Sequence, residues 1–410
     1  KLTHPHTHPH PHTLTPTHTH KKMLPIIILC VLLLISIIYC VRPGVIVING
    51  GEESSDKLIA GAAHNPDYKS YYLDVEDLDN CYFIKLARER KMRKMSLVEL
   101  RKNKYVDIMI MLGPYASFPP REFYSYKSYI SNRLDSKILH HKVKLHSIIN
   151  KKNIGIIPET KIISSDKRLD TLPSDDPWVF RVEKGLAGKG TYFISNDDEL
   201  KNAFDERDKH FSNQSVLLSK HITDKMLLTI DNEQYSMQLR IRLIVVVDAD
   251  GGKYMGVFKS GSQMGTSRVP YTKNYSDYSS QYSGPQGAFG CLFPDDYPGD
   301  ADIAFSAVVD MFRKLAEYTL PLIKIYPESK AGFEIFNPDI IMTKDNEPRL
   351  IEINTGGSFP SETIPNTIYA EKPEIVDKVS ESVFGGIMEF AIDPIYGGKR
   401  GDKYVVQCYP

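Results

Sequence analysis

FNPDIIMTKDNEPRLIEINTGGS, residues 336–358, is the stretch whose reading decides the fold. PDIIM and PRLIEIN have the apolar, β-branched character of strands, and KDNEP between them carries an Asp-Asn pair suited to a tight turn. In a strand, residues two apart share a face, so Glu352 and Asn354 point the same way. A hairpin folds Asp339 back beside them, which sets two carboxylates and an amide oxygen on one face among Ile and Leu. Such close like charges call for a cation between them, and hard oxygen ligands of this kind suit magnesium. The plain alternative is a solvated edge hairpin.

Working outward, QLRIRLIVVVDADG (residues 238–251) reads as one long strand. Arg240 and Arg242 alternate there with Leu239, Ile241 and Leu243, so both guanidiniums share a face while the aliphatics pack behind. Paired arginines suit a phosphate or a substrate carboxylate. KYMGVFKSG (253–261) reads as another strand, residues 271–299 as a Tyr/Ser-rich loop, and the span from about Asp302 to Leu320 as a helix. Further upstream, GLAGKG (185–190) lies between the strands WVFRVEKG and TYFIS. Its glycines let backbone N–H groups close on phosphate oxygens, and Lys189 adds charge. It is not a Walker loop, because Gly190 follows Lys189 where Ser or Thr is required. DDEL starts a helix, VLLSKHI (216–222) is a strand, LHSIINKK a helix ending at Asn-Ile-Gly, and IPETKII an extended segment. Strands dominate with helices between them, which is an α+β or α/β pattern.

The 410 residues are 41% hydrophobic, enough for two or three lobes around ordinary cores. Lys plus Arg equals Asp plus Glu, 51 against 51, so no net field marks a nucleic-acid binder. The five cysteines show neither CxxC spacing nor a Cys/His cluster, which excludes a zinc site of the usual pattern. Seven of the thirteen histidines fall in the first twenty residues, a His/Pro/Thr tract that cannot bury enough apolar surface to order itself; a disordered tail is favoured over metal chelation. Leu24 to Val41 is apolar apart from Pro25 and Ser36, flanked by Lys21, Lys22 and Arg42, and just spans a hydrocarbon core of about 30 Å. It reads as a transmembrane signal anchor, with a cleaved signal peptide as its rival and a buried helix as the plain alternative. The lysines before it favour a luminal catalytic region, which the sequons at Asn213 and Asn274 permit. Residues 42–75 read as a stalk. LARERKMRKMSLVELRKNK reads as a charged helix, and Val106 to Leu112 as a compact strand.

With these residues in place, the hairpin resembles the metal-binding hairpin of tubulin–tyrosine ligase-like proteins, members of the ATP-grasp superfamily, in which an Asp begins one strand and Glu-x-Asn ends the next. The thirteen-residue step from Asp339 to Glu352 is similar to that family's, and the likeness covers about residues 140–360. The resemblance implies that Asp339, Glu352 and Asn354 hold magnesium on the phosphates of ATP. It places Arg181 where the family carries an α-phosphate lysine, with Lys184, Gly188, Lys189 and Gly190 around the nucleotide. LLSKHI resembles the hinge strand, so Lys220, His221 and Ile222 would meet the adenine. YSMQLRIRLIVVV resembles the family's KFDIR strand, with Arg240 and Arg242 in catalytic roles and Gln238 where the family has Asp. YMGVFKSG resembles a strand ending Arg-Glu-Gly, which puts Lys259 at the basic position. Ser267, Arg268 and Tyr271 continue the likeness with an insertion, and GPQGAFGCLF stands where a His-Leu-Thr-Asn element is expected.

The implied architecture is an ATP-grasp fold with a small N-terminal α/β lobe, preceded by one transmembrane helix. The expected divisions are a tract (1–22), an anchor (23–41), a stalk (42–75), an N-terminal lobe (76–165), a central lobe (166–230), a C-terminal lobe (231–395) and a tail (396–410). The implied activity is ATP- and magnesium-dependent ligation of an amino acid to an acceptor carboxylate on a protein or peptide, through an acyl phosphate. The alternatives are a membrane-anchored nucleotide-binding pseudoenzyme and an ATP-grasp phosphotransferase. Expected partners are the peptide or protein acceptor, an amino acid and the membrane, with no nucleic acid.

Overall fold

β-Branched and aromatic runs become strands throughout this chain. The structure is a computed structural model that describes residues 134–185, 188–283, 290–325, 331–355 and 399–409, short stretches between 379 and 394, and the backbone of five earlier strands. Those five are β1 Gly44–Asn49, β2 Lys69–Leu73, β3 Arg93–Met95, β4 Val106–Leu112 and β5 Tyr129–Ser131. Then come β6 Leu134–Asp135, α1 Lys137–His140, α2 Lys142–Lys152, β7 Thr160–Ile163, β8 Trp178–Val182, β9 Thr191–Ile194, α3 Asp197–His210, β10 Val216–Lys220 and β11 Leu227–Ile230. They are followed by β12 Glu233–Arg240, β13 Leu243–Val247, β14 Lys253–Phe258, β15 Ser262–Thr266, α4 Tyr278–Gln281, β16 Gly290–Phe293 and α5 Ala301–Thr319. The last are β17 Lys324–Ile325, β18 Ala331–Met342, β19 Pro348–Thr355 and β20 Val405–Tyr409.

A 14-stranded sheet runs in the order β16-β15-β12-β18-β5-β4-β1-β2-β3, with β11, β13, β14, β19 and β20 paired off this path. The stretch from β18 through β5, β4, β1 and β2 to β3 is parallel, and the remaining pairs are antiparallel. A second, antiparallel sheet has the order β7-β10-β8-β9, and β6 pairs with β17. This is a mixed α+β architecture. Among the described residues no helix is long and apolar enough to cross a membrane. The His/Pro/Thr tract and the apolar run 24–41 lie outside the described residues.

Five expectations need correction. The segment read as a stalk supplies β1 and β2, both strands of the main sheet; the VIVI run of β1 has the continuous β-branched character of a strand paired on both sides. Within the stretch read as a charged helix, Arg93–Met95 pairs in parallel with β2, so tertiary pairing overrides local helix propensity. The long strand 238–251 breaks at Ile241 and Arg242. There β12, bonded to β15, gives way to β13, bonded to β14, while the 12-residue β18 lies against both. The Tyr/Ser-rich loop contains α4 and β16, and the expected tail contains β20, paired with β14.

One face of the main sheet packs on α5. Leu239, Val245, Met255, Phe336 and Ile340 meet Val308, Phe312 and Leu315 in one buried cluster. Asp300 caps α5 by accepting from the N–H groups of Asp302 at 3.1 Å and Ile303 at 3.0 Å. Asp300→Ala leaves those donors to water and is expected to cost about 1 kcal/mol of stability, read by chemical denaturation. The second sheet packs on α3, where Phe180 and Phe204 meet edge to face at 5.0 Å.

Candidate functional site

Where β12, the second half of β18 and β19 meet, the face opposite the core on α5 is largely polar, and that follows from strand parity. Along β12 and the two residues after it, Met237, Leu239 and Ile241 enter the core while Gln238, Arg240 and Arg242 line the cleft. Along β18, Phe336, Ile340 and Met342 enter the core, which turns Asn337, Asp339 and Ile341 outward. These outward side chains floor a cleft of about 310 Å³ whose other wall comes from β8, β9 and β10 of the second sheet.

The hairpin forms with Asp339 opposite Glu352 and Asn337 opposite Asn354. Asn346 takes a left-handed conformation (φ 59°) in its turn, where the N–H of Asn346 donates to the Thr343 carbonyl at 3.0 Å. A bulge sits where Asp339 and Ile340 face Glu352 and Leu350, leaving Ile351 as the extra residue. The bulge resets the alternation, so Leu350 and Ile353 both enter the core while Glu352 and Asn354 line the cleft. It also frees the Ile351 carbonyl, which accepts from Arg181 Nη1 at 3.0 Å and from His146 Nε2 at 3.1 Å. Burial first, and then Arg181, pushes His146 down to about 3, so it is neutral and carries its proton on Nε2.

The two carboxylates have cationic partners within the protein. Arg240 Nε donates to Asp339 Oδ1 at 2.9 Å, and Asn354 Nδ2 donates to Asp339 Oδ2 at 3.2 Å. Lys142, the first residue of α2, pairs with Glu352 at 3.1 Å and donates to the Gly185 carbonyl at 2.8 Å. Burial raises Asp339, with Glu352 adding to the rise and Arg240 opposing it. Burial works in the same direction on Glu352, but Lys142 and Arg181 outweigh it and hold that carboxyl below its ordinary value. The like-charge repulsion read from sequence is therefore met here by Arg240 and Lys142.

Of the residues singled out from sequence, the cleft gathers Arg181, Gly188, Lys220, His221, Ile222, Arg240, Arg242, Asp339, Glu352 and Asn354. Lys184, Lys189, Gly190 and Lys259 do not line it. Lys184, Lys189 and Lys259 are exposed, and Gly190 (φ 75°) serves the turn, packed against Val182. The Lys220 ammonium turns to Asp176 at 2.6 Å, leaving its backbone beside the cleft. Burial first, with Lys225, lowers His221 to about 3 and keeps it neutral. The Arg242 side chain donates to the Gly261 carbonyl.

Sequence reading missed Lys142, Gln263, Gln281 and Tyr282. Gln263 stands opposite Arg240 across the β12–β15 pair, which completes a row Gln263, Arg240, Asp339, Glu352 over four strands. Strand alternation in SQMGT was the only signal for Gln263. Tyr282 is pushed up to about 12 by burial first, then by Tyr278 and the nearby carboxylates, with Arg240 opposing.

Among the described residues the lining carries the basic side chains Lys142, Arg181, Arg240 and Arg242 and the carboxyl groups Asp339 and Glu352, while Lys220 pairs with Asp176. Among the described residues no group of three or more His, Cys, Asp or Glu forms an all-protein metal cage. The chain matches no family model and no curated protein.

Proposed function

We propose that the cleft binds ATP with magnesium and that the protein is an ATP-grasp carboxylate–amine ligase of the tubulin–tyrosine ligase-like kind. The observation that carries this reading is the polar row on the sheet floor, Arg240, Asp339 and Glu352, with the basic side chains Lys142 and Arg181 lining the same cleft. ATP carrying one magnesium ion bears about two negative charges, and the ion's own charge belongs in that sum. The donor set fits the metal. Two carboxylates and an amide oxygen are too few for a closed cage but suit magnesium, which fills its remaining positions with phosphate oxygens and water. Asp339, Glu352 and Asn354 would hold the ion, which supplies charge neutralisation at the phosphoryl oxygens.

The protein's own groups then position and stabilise. Arg181 and Lys142 lie beside the glycine-rich turn, where they balance phosphate charge, and the neutral His221 with Ile222 and Phe193 gives an apolar slot for a base. Arg240, held in place by Asp339, presents its remaining N–H groups to the reacting oxygens. The substrate carboxylate attacks the γ-phosphorus and releases ADP; an amine then attacks the acyl carbon and expels phosphate. No protein nucleophile is needed, so catalysis is positioning plus electrostatics.

A nucleotide-binding protein without turnover is the second reading, favoured by Gln238 standing where a carboxylate is expected and by Arg181 in a lysine position. Mass spectrometry of candidate acceptors incubated with protein, ATP, magnesium and amino acids separates the two. A mass gain of one or more residues is expected for the ligase. Phosphorylated acceptor would instead identify a phosphotransferase. Magnesium and ATP together are expected to raise the melting temperature, by an amount that grows with ligand concentration. Absence of any shift at millimolar nucleotide sinks the nucleotide reading.

A further inference from the structure

The Tyr/Ser-rich segment, with no assigned role so far, is tied to both sheets and lines the cleft through Gln281, Tyr282 and Ser283. Residues 267–283 are tied to the main sheet on one side: Ser236 Oγ donates to the Ser280 carbonyl at 2.8 Å, and the buried Lys225 donates to Gln281 Oε1 at 2.8 Å. They are tied to the second sheet's side as well. Ser276 Oγ donates to Glu199 Oε2 at 2.8 Å, Tyr275 meets His221 edge to face at 5.3 Å, and Tyr278 meets Phe193 at 5.9 Å. Tyr278 and Tyr282 stack at 4.9 Å with their planes 14° apart.

That stack fixes where the Tyr282 hydroxyl end lies. Gly188, in the glycine-rich turn, has φ 80°, and a Cβ there would run into the Tyr278 hydroxyl and come within 3.2 Å of Tyr282 Cζ. The phenol carbon bearing the hydroxyl is thus packed against the turn. Tyr282 also lines the cleft and lies in the electrostatic field of Asp339, Arg240 and Glu352. The hydroxyl-bearing end of Tyr282 thus lies beside the glycine-rich turn in the cleft that Asp339 and Glu352 also line, the part of the site the nucleotide reading gives to phosphate.

We infer that Tyr282 is a phosphate-binding residue, carried into the site by this segment, whose hydroxyl donates a hydrogen bond to the terminal phosphate of the nucleotide. This rests on the nucleotide reading above. A phenol keeps its proton across neutral pH, so it is a donor suited to an anion. The segment thereby adds a phosphate contact to those offered by the sheet floor.

The test is titration calorimetry on the full chain with Mg·ATP and, separately, adenosine, for the parent and Tyr282→Phe. Phe keeps the ring that stacks on Tyr278 and removes only the hydroxyl. Expected is a loss on the order of tenfold in Mg·ATP affinity with adenosine affinity unchanged, the size of one hydrogen bond to a charged group. Unchanged Mg·ATP affinity overturns the inference, and so does an equal loss for adenosine, which would make the ring's packing the relevant feature. If the parent binds adenosine and Mg·ATP equally, there is no phosphate site, and the inference falls together with the assignment of the carboxylate row to Mg·ATP; if Mg·ATP binds more tightly and Tyr282→Phe leaves that difference unchanged, the inference falls alone. If the parent binds neither, the nucleotide reading falls and takes the inference with it.

Discussion

Glu352→Gln is expected to leave the fold intact and to lower magnesium-dependent ATP turnover by more than about 100-fold, the several kcal/mol associated with losing a metal-ion contact. The amide keeps the size of the side chain and can still accept from Lys142, which now reaches Glu352 at 3.1 Å. It cannot keep the charge. Asp339 is held by Arg240 and raised by burial, so it cannot make up the loss. The sharpest readout is the magnesium dependence of ATP binding, titrated with and without the metal. The parent should gain affinity from magnesium and the variant should not. Ile341→Ala, in the same cleft but apolar, should change affinity without changing the magnesium dependence. If Glu352→Gln retains the parent's turnover and metal dependence, the assignment of the hairpin to magnesium is wrong.

The hairpin was legible because alternation is a local rule. Parity along PDIIM and LIEIN places Asp339, Glu352 and Asn354 on one side, and parity along QLRIR does the same for Arg240 and Arg242. The bulge at Ile351 was not legible, because it depends on how β19 registers against β18. It is this bulge that lets Leu350 and Ile353 both reach the core and frees the carbonyl that Arg181 and His146 share. Lys184 and Lys189 at the glycine-rich turn, and Lys259 from the family resemblance, do not line the cleft. They lie near glycine turns in the chain, yet their side chains point to solvent. Lys142 looked like any lysine at a helix start, and only the approach of α2 to β19 gives it a partner. Tyr282 sits in a segment with no periodicity, held by ties to Ser236, Lys225 and Glu199 that join distant parts of the chain. Strand polarity was thus readable, whereas contacts made by tertiary approach were not.

Glu334 offers the other large effect, this time on stability. It lies on β18 opposite Val245, is 6% exposed, and its Oε2 has no hydrogen-bond partner among the described residues. Burial raises this carboxyl from 4.5 to about 7, with the hydrogen bond from Ser136 opposing. A folded-state value above the unfolded one means that the protonated form favours the fold. The stability so contributed is complete below the unfolded value and is lost as pH rises through the folded one. Raising the pH from 5 to 8 should therefore remove about 2–3 kcal/mol through this group alone. Glu334→Gln keeps the shape and cannot ionise, so its stability should exceed the parent's at pH 8 and converge on it near pH 5. Chemical denaturation of both proteins at the two pH values isolates the term, because every other titrating group is common to them. A difference that is the same at both pH values would mean that Glu334 is already ionised in the folded protein, with water or a neighbour satisfying Oε2. The position is informative because it lies on the strand that also carries Asp339: on one face of β18 burial favours the neutral form of a carboxyl, while the other surrounds its carboxyl with Arg240 and Asn354.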